Sequence, residues 1–226
     1  MSYTLIIPIF NEKKSIPILL KQLKQLEKTV FTILINDGST DGTKDLLLEL
    51  NNPQLSVIHN RKNIGKGGSI IKAIEMVKTK YVIFMDGDLE VDTKDIPKLI
   101  NMNKKTEKVV VGNRWSDINI NYFSINYLGN LIINKFFNAL YGTSFKDILC
   151  CFKVLDINFL KSLKLCSLNF SIETEIMSKL ALKKTETHEI NINYSRRTIE
   201  DGKKIKYTDV FHILYTMVQI RFKGNL

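Results

Sequence analysis

The first half of the chain alternates between short apolar runs and stretches whose apolar residues recur at helical spacing. The apolar runs are rich in β-branched and aliphatic residues, which is typical of strands buried in a sheet. The predicted strands cover residues 3–9, 30–35, 55–59, 81–85 and 108–112, and the predicted helices cover residues 16–26, 44–50 and 66–78 together with a helix capped by Thr93. Strands and helices in this order predict an α/β fold with a doubly wound, mostly parallel sheet and helices on both faces.

The second half of the chain has fewer strand signals and longer amphipathic stretches. The predicted helices cover residues 122–141, 171–183 and 207–222, a predicted strand covers residues 188–194, and residues 196–206 form a polar, basic loop. The helices at residues 122–141 and 207–222 have wide apolar faces. The change of pattern indicates two halves, residues 1–115 and 116–226, within a single compact domain.

Composition and charge narrow the classes of partner. The 226 residues are 44% hydrophobic and 25% charged, which suits a globular domain with a sizeable core. Subtracting 23 acidic from 33 basic residues gives a net charge of +10, which favours anionic partners such as nucleotides, phosphorylated lipids or anionic bilayers. The sequence has no basic and aromatic motif for nucleic-acid recognition, so we expect no nucleic-acid partner.

The cysteines and the start of the chain bear on location. The three cysteines lack CxxC spacing, so no zinc site is indicated and reduced thiols in a cytoplasmic protein are expected. No signal-peptide pattern opens the chain, and no apolar stretch reaches the ~20 residues that a membrane-spanning helix needs. The sequence therefore predicts a cytoplasmic protein without a transmembrane helix, which at most lies on a membrane surface.

Carboxylates follow three of the predicted strands. Glu12 follows the first strand, Asp37 the second, and Asp86, Asp88 and Glu90 the fourth. Because ligands bind beyond the carboxyl ends of strands in open α/β sheets, we expect these side chains to converge on one crevice. Two aspartates separated by one glycine suit a hard cation such as Mg²⁺, which would stabilise a diphosphate leaving group. The alternative is a polar loop with capping aspartates.

A glycine-rich segment at residues 63–68 opens the third predicted helix. It could approach a phosphate closely at the helix N-terminus, or it could be a tight turn. The segment does not match GxGxxG, and the chain has no GxxxxGK[ST] motif, so neither dinucleotide binding nor a P-loop is supported.

Several segments in chain order resemble motifs of known enzymes. IPIFNE at residues 7–12, NDGSTDGT at 36–43, NIGKG at 63–67 and FMDGDLE at 84–90 resemble family 2 glycosyltransferases of the GT-A fold, which is Rossmann-like. VGNR at 111–114 is similar to a Gly-Ser-Arg segment of that family. DILCCFK at 147–153, ETE at 173–175 and YSRRTIEDGKK at 194–204 resemble dolichyl- or polyprenyl-phosphate sugar synthases.

The resemblance implies roles for individual residues. Donor-binding residues would be Pro8, Phe10, Glu12, Asp37, Lys66 and Asp86. Metal ligands for Mg²⁺ or Mn²⁺ would be Asp88 and Glu90. Phosphate-binding residues would be Arg114, Arg197 and Lys204, and catalytic residues would be Asp88, Asp147 and Arg114. The chain departs from the family at Asn36, which stands in place of an Asp, at Glu90 in place of Gln, and at Cys151 in place of Gly.

The implied activity is inverting transfer of a sugar from GDP-mannose or a UDP-sugar to a polyprenyl or dolichyl phosphate. Residues 1–115 would then bind the nucleotide sugar, and residues 116–226 would bind the acceptor. A phosphate acceptor is already ionised at neutral pH and needs no strong base. A saccharide hydroxyl would need one, and Asp147 is the candidate; alternatively Asp147 is a helix cap or an ion-pair partner.

Other functions remain open at this point. The acceptor could be a growing capsular or lipopolysaccharide glycan, and the chain could also be a nucleotide-binding protein without catalysis. A sugar nucleotidyltransferase is disfavoured because its glycine-rich, basic N-terminal loop is absent. The wide apolar faces of the helices at 122–141 and 207–222, together with lysines, suit shallow docking on the cytoplasmic face of a bilayer beside a lipid acceptor.

Overall fold

The computed structural model describes residues 1–115, 125–197 and 207–223, and its centre is one seven-stranded sheet. The strand order is β3-β2-β1-β4-β6-β5-β7. The strands are β1 Tyr3–Ile9, β2 Phe31–Asn36, β3 Leu55–His59, β4 Tyr81–Phe84, β5 Val109–Asn113, β6 Lys153–Asp156 and β7 Thr187–Asn191. β1 pairs in parallel with β2 and β4, β2 with β3, and β5 with β7. β6 runs antiparallel to both of its neighbours.

Eight α-helices and two short 3₁₀ turns connect these strands within the described residues. The helices are α1 Ile16–Leu23, α2 Thr43–Leu48, α3 Lys66–Ile74, α4 Ile96–Thr106, α5 Ile125–Tyr141, α6 Ile157–Ser162, α7 Ile172–Leu182 and α8 Tyr207–Lys223. The 3₁₀ turns are Lys24–Leu26 and Thr93–Asp95. None of the described helices is long and apolar enough to cross a bilayer.

The sheet is covered on both faces because successive residues of its strands point in opposite directions. On β1, Leu5 and Ile7 join an apolar cluster that includes α1 and α4, whereas Ile6 joins a second cluster that includes α3, α7 and α8. All three side chains are fully buried, as expected for a parallel strand between two layers of helices. The predicted α/β architecture with a mostly parallel sheet and helices on both faces is confirmed.

Some predicted elements were wrong in detail. β6 and α6 have no counterpart among the sequence predictions, because β6 is only four residues long and begins with a lysine. The helix predicted to run to residue 78 ends at Ile74. Thr93 does not cap α4, whose N-cap position is Asp95; Thr93 instead begins the 3₁₀ turn, which Asp92 caps by accepting a hydrogen bond from the Lys94 N–H.

The two halves of the chain share the sheet. β6 and β7 come from the second half, and they flank β5 of the first half. The division near residue 115 is therefore a division of expected roles along one continuous sheet, and as such it stays a prediction. The arrangement brings the ends of β1, β2, β4 and β5 to the same side of the molecule as the start of α7.

Candidate active site

One cavity of about 570 Å³ lies beyond the carboxyl ends of the parallel strands. Its size is typical of small-molecule sites, and its place is the one expected for a ligand in an open α/β sheet. The predicted site residues that line it are Pro8, Phe10, Glu12, Asp37, Lys66, Asp86, Asp88, Glu90, Arg114 and Arg197. Asp147 lies behind Arg114 rather than in the lining, and Lys204 lies outside the described residues.

The lining has two parts, which we name by their chemistry. The carboxylate side consists of Glu12, Asp37, Asp86, Asp88 and Glu90, which stand on the loops after β1, β2 and β4. The aromatic side consists of Arg114, Trp115, Tyr127 and Tyr194. A hydrogen bond of 3.2 Å from the Tyr194 hydroxyl to Glu90 Oε2 joins the two sides.

Asp37 fixes the glycine-rich segment against the crevice. Its Oδ1 accepts hydrogen bonds from the Ile64 N–H and the Asn60 amide, and its Oδ2 accepts one from the Gly65 N–H, all at 2.9 Å. Both oxygens of this buried carboxylate are thus used by the protein. The structure therefore gives Asp37 a loop-positioning task, while a contact with the donor base stays a prediction.

The glycines of this segment are required by a close approach of two backbones. Gly65 has φ +87°, and a Cβ atom there would lie 2.3 Å from the Leu168 carbonyl oxygen. A Cβ atom on Gly67 would lie 2.0 Å from the Ser167 carbonyl oxygen. Any side chain would push the start of α3 away from the segment before α7. Residues 63–68 therefore form a tight turn, and this turn helps to build the cavity.

Glu12 is buried and is held by an arginine from the far end of the chain. Its two carboxylate oxygens accept one hydrogen bond each from the Arg197 guanidinium, both at 2.9 Å, and Ser15 Oγ donates to Oε2 at 2.8 Å. This is the bidentate geometry that makes Arg–carboxylate pairs strong. The guanidinium of Arg197 thus binds a protein carboxylate in this structure, and its role in phosphate binding stays a prediction.

Glu90 also holds the segment that carries Arg197. Its Oε1 accepts a hydrogen bond of 3.1 Å from the Arg197 N–H, and its Oε2 accepts the one from Tyr194. The Ser195 N–H donates to the Glu90 carbonyl oxygen at 2.8 Å. In the described structure Glu90 is therefore an anchor for residues 194–197, and its role as a metal ligand stays a prediction.

Asp88 is a partly buried carboxyl beside two other carboxylates. Burial, together with the negative charges of Asp86 and Glu90, raises the pKa of its carboxyl to about 7. Its Oδ1 accepts a hydrogen bond of 3.0 Å from the Glu90 N–H. The described residues contain no group of three or more His, Cys, Asp or Glu side chains arranged to hold a metal. Mg²⁺ commonly uses one or two protein carboxylates and completes its shell with phosphate and water, so the residues present fit a cation that arrives with a diphosphate.

Lys66 neutralises the other aspartate of the pair. Its Nζ lies 2.7 Å from Asp86 Oδ1 and 2.9 Å from Glu173 Oε1. Although burial alone would lower it, the charges of these two carboxylates hold the pKa of Lys66 well above its usual value. Asp86 is therefore paired with a cation of the protein, whereas Asp88 forms no ion pair with any residue that the structure describes.

Arg114 is fixed on the aromatic side by Asp147. Its Nε and NH2 groups donate to the two oxygens of Asp147 at 2.8 and 2.9 Å, and its backbone N–H donates to Oδ2 at 3.1 Å. The guanidinium lies 5.1 Å from the centre of the Trp115 ring and 5.4 Å from that of Tyr194. Asp147 is 2% exposed with both oxygens bonded to Arg114, which is the arrangement of an ion-pair partner rather than of a free base.

Sequence reasoning missed several residues of the cavity. Trp115 contacts both Tyr127 and Tyr194 edge to face, with ring centroids 5.2 and 5.6 Å apart respectively. Trp115 directly follows the VGNR segment, so its place after β5 was available as a signal. Lys153 and Glu173 belong to recognised segments, but nothing in the sequence shows that they contact each other.

Comparison with known proteins places the chain in a family. The model of glycosyl transferase family 2 matches residues 4–163. An uncharacterized protein of Methanocaldococcus jannaschii is 32% identical, and the alignment covers 88% of this chain and 96% of that protein. An undecaprenyl-phosphate 4-deoxy-4-formamido-L-arabinose transferase of Photorhabdus laumondii is 25% identical, and the alignment covers 95% of this chain but only 66% of that protein.

Solved structures share the fold along almost the whole chain. TarS of S. aureus in complex with UDP-GlcNAc gives a TM-score of 0.64 at 15% identity, covering 97% of this chain and 66% of that one. The mannosyltransferase PcManGT of Pyrobaculum calidifontis in complex with GDP-Man and Mn²⁺ gives a TM-score of 0.60 at 14% identity, covering 97% and 69%. This likeness confirms the predicted GT-A fold.

Proposed function

The chain belongs to glycosyl transferase family 2, and from this premise we propose that it transfers a sugar, with inversion, from a nucleotide-diphosphate donor to a polyprenyl or dolichyl phosphate. One observation carries the proposal. A single cavity combines Asp88, a carboxylate that forms no ion pair among the described residues, with a cation held by a bidentate pair, Arg114. The first suits a cation bound to a leaving diphosphate, and the second suits an anionic acceptor.

The donor belongs on the carboxylate side. Pro8, Phe10 and Glu12 follow β1 and would contact the base, and Asp86 would contact the ribose. GDP-mannose and UDP-sugars are the candidate donors, in keeping with the ligands named for the two structural neighbours, GDP-Man and UDP-GlcNAc. Asp88, assisted by Glu90, would hold Mg²⁺ or Mn²⁺. A bound divalent cation would supply stabilisation of the negative charge that develops on the leaving diphosphate.

The acceptor belongs on the aromatic side. A phosphate oxygen is ionised at neutral pH and can attack without a general base, so the protein's task is to orient it. Arg114 suits this task because Asp147 fixes one edge of its guanidinium and two aromatic rings flank it. A saccharide hydroxyl would need a free base, and the oxygens of Asp147 are already occupied. This geometry favours the phosphate acceptor, as does the undecaprenyl-phosphate named for one relative.

An apolar surface adjoins the aromatic side. α5 contributes Tyr127 to the cavity and α8 contributes Ile213, while other residues of these helices face outward. Ile132 is 67% exposed, Phe211 74% and Phe222 77%. Since Arg221 and Lys223 lie on the same helix, we propose that this surface rests on an anionic bilayer, at its cytoplasmic face, and there meets the lipid acceptor.

A transfer assay tests the proposal. The chain is incubated with radiolabelled GDP-mannose or UDP-sugars, Mg²⁺ or Mn²⁺, and either a short polyprenyl phosphate or a free saccharide acceptor. We expect label in the lipid-phosphate product with one donor, opposite anomeric configuration in product and donor, and loss of transfer with EDTA. Transfer to the saccharide alone would contradict the acceptor assignment. Nucleotide binding without any transfer would indicate a non-catalytic nucleotide-binding protein instead.

A further inference from the structure

A row of four side chains with alternating charges runs from the cavity into the core. It begins at Asp86 in the cavity lining and continues through Lys66 and Glu173 to Lys153. Two positive and two negative side chains take part, so this row of four side chains has no net charge. Lys153 is 0% exposed and does not belong to the lining, yet its ammonium contacts Glu173 Oε2 and the Cys150 carbonyl oxygen.

Glu173 lies between the two lysines of this row. It lies in the first turn of α7, where the helix dipole favours a negative charge. Its Oε1 binds Lys66 and its Oε2 binds Lys153, so each oxygen is assigned to one cation. Lys66 in turn divides its ammonium between Glu173 and both oxygens of Asp86, at 2.7 and 2.9 Å. The position of Lys66 therefore depends on how strongly Glu173 attracts it.

Lys153 sets that attraction. With Lys153 in place, Glu173 is neutralised from the core side, and Lys66 remains available to hold Asp86. Without it, Glu173 would be a buried carboxylate with Lys66 as its cation, and Lys66 would be drawn away from Asp86. Asp86 would then add its full charge to Asp88 and Glu90, which would repel a diphosphate.

We propose that Glu173 and Lys153 are positioning residues of the donor site, which hold Lys66 so that it neutralises and orients the Asp86 carboxylate. The inference rests on the proposed function, since it assigns Asp86 to the donor. It also explains the segment of residues 147–153 physically. Asp147 at one end fixes Arg114 on the aromatic side, and Lys153 at the other end fixes, through Glu173, the cation of the carboxylate side.

The test is nucleotide affinity in a set of matched variants. Lys153→Met removes the cation that neutralises Glu173 from the core side, so Lys66 should move from Asp86 toward Glu173. Lys179→Met is the control, because Lys179 is also buried and also pairs with a buried glutamate of α7, Glu175 at 2.6 Å, but does not line the cavity. Dissociation constants for GDP and UDP with Mn²⁺ are measured by calorimetry, and melting temperatures are measured beside them. We expect both variants to melt earlier and Lys153→Met alone to bind nucleotide about tenfold more weakly, the size of effect typical of residues that support a ligating group.

A double variant separates positioning from general damage. Lys153→Met with Glu173→Gln removes one charge of each sign, so it leaves no buried charge without a partner and keeps the Lys66–Asp86 pair. We expect its nucleotide affinity to exceed that of Lys153→Met alone, which is the coupling expected of groups in one network. A double variant that binds nucleotide no better than Lys153→Met would overturn the proposal.

The remaining outcomes separate this inference from the function on which it rests. Equal loss of affinity in Lys153→Met and Lys179→Met, with a wild-type chain that binds nucleotide, would overturn the positioning role and leave the proposed function standing. A wild-type chain that binds neither GDP nor UDP with Mn²⁺ would contradict the proposed function and this inference together.

Discussion

The carboxylate side and the aromatic side of the cavity handle charge in opposite ways. On the aromatic side, Arg114 and Asp147 form a bidentate ion pair, so the guanidinium is held in place and both carboxylate oxygens already accept hydrogen bonds. On the carboxylate side, Lys66 pairs with Asp86, but Asp88 forms no ion pair among the described residues and burial raises the pKa of its carboxyl to about 7. The aromatic side is thus paired before any ligand binds, whereas Asp88 is left to titrate near neutral pH. We therefore expect pH, and the cation of the proposed function, to act on the carboxylate side and not on the aromatic side.

The largest expected effect is at Asp88. Replacing it as Asp88→Asn keeps the size of the side chain but removes the charge that a cation requires. We expect transfer to fall about a thousandfold, which corresponds to about 4 kcal/mol of transition-state stabilisation. Steady-state assays with saturating Mn²⁺ measure the effect, and Asp45→Asn on the exposed face of α2 is the control. A transfer rate within a few-fold of wild type would contradict the proposed role of Asp88 as a metal ligand.

A smaller effect is expected at Asp147, and it should affect the acceptor without affecting nucleotide binding. Asp147→Asn removes the charge that fixes Arg114 while an amide oxygen can still accept one hydrogen bond. We expect kcat/KM for the lipid phosphate to fall about tenfold, as when a supporting group is lost, while the affinity for nucleotide is unchanged. The pH–rate profile should keep its shape. Loss of one limb of that profile together with a collapse of kcat would instead identify Asp147 as a general base.

The contrast between the two sides also explains what the sequence could predict. Glu12, Asp37, Asp86 and Asp88 each come directly after a strand of a regular β–α unit, so their convergence follows from topology alone. The partners that set their charges come from distant segments: Arg197 is 185 positions from Glu12 in the chain. Such pairings depend on packing, which no local pattern reports.

The element that sequence analysis missed shows the same limit. β6 begins with Lys153, and a lysine is a poor signal for a fully buried strand. It is tolerated because Glu173 reaches it from α7, a contact that exists only in the folded chain. Trp115 and Tyr194 are similar cases, since their rings meet around Arg114 from β5 and from the segment after β7.

The pH dependence of metal binding is the next prediction, and it concerns the carboxylate side alone. A cation needs the ionised form of Asp88, and the pKa of about 7 means that protons compete with it near neutrality. We expect Mn²⁺ affinity, measured by calorimetry, to be about tenfold higher at pH 8 than at pH 6, from the ionised fractions on either side of that pKa. Affinity that is flat over this interval would contradict the raised pKa.

The raised pKa of Asp88 also predicts the direction in which stability changes with pH. The folded state keeps the Asp88 proton to about pH 7, whereas the unfolded chain releases it near the ordinary value of 3.8. Between these values the folded state binds more protons, so the metal-free protein loses stability as pH rises. Asp88→Asn should reduce this slope, measured by denaturant unfolding at several pH values, and should be more stable than wild type at pH 8 without metal. An unchanged slope would place the titrating group elsewhere.

The last expected effect concerns membrane binding and not the chemistry of the cavity, and it lies on the exposed face of α8. Phe211→Ser together with Phe222→Ser removes two aromatic rings that would insert at a bilayer surface. Partial burial of each ring is worth on the order of 1 kcal/mol, so flotation with anionic liposomes should show binding weaker by about fivefold for each ring. Leu48→Ser is the control, because Leu48 is also exposed and apolar but lies on α2. Transfer to a short, water-soluble polyprenyl phosphate should be unchanged, since neither phenylalanine lines the cavity. Equal binding by the double variant and the control would leave the membrane surface without support while leaving the chemistry of the two sides intact.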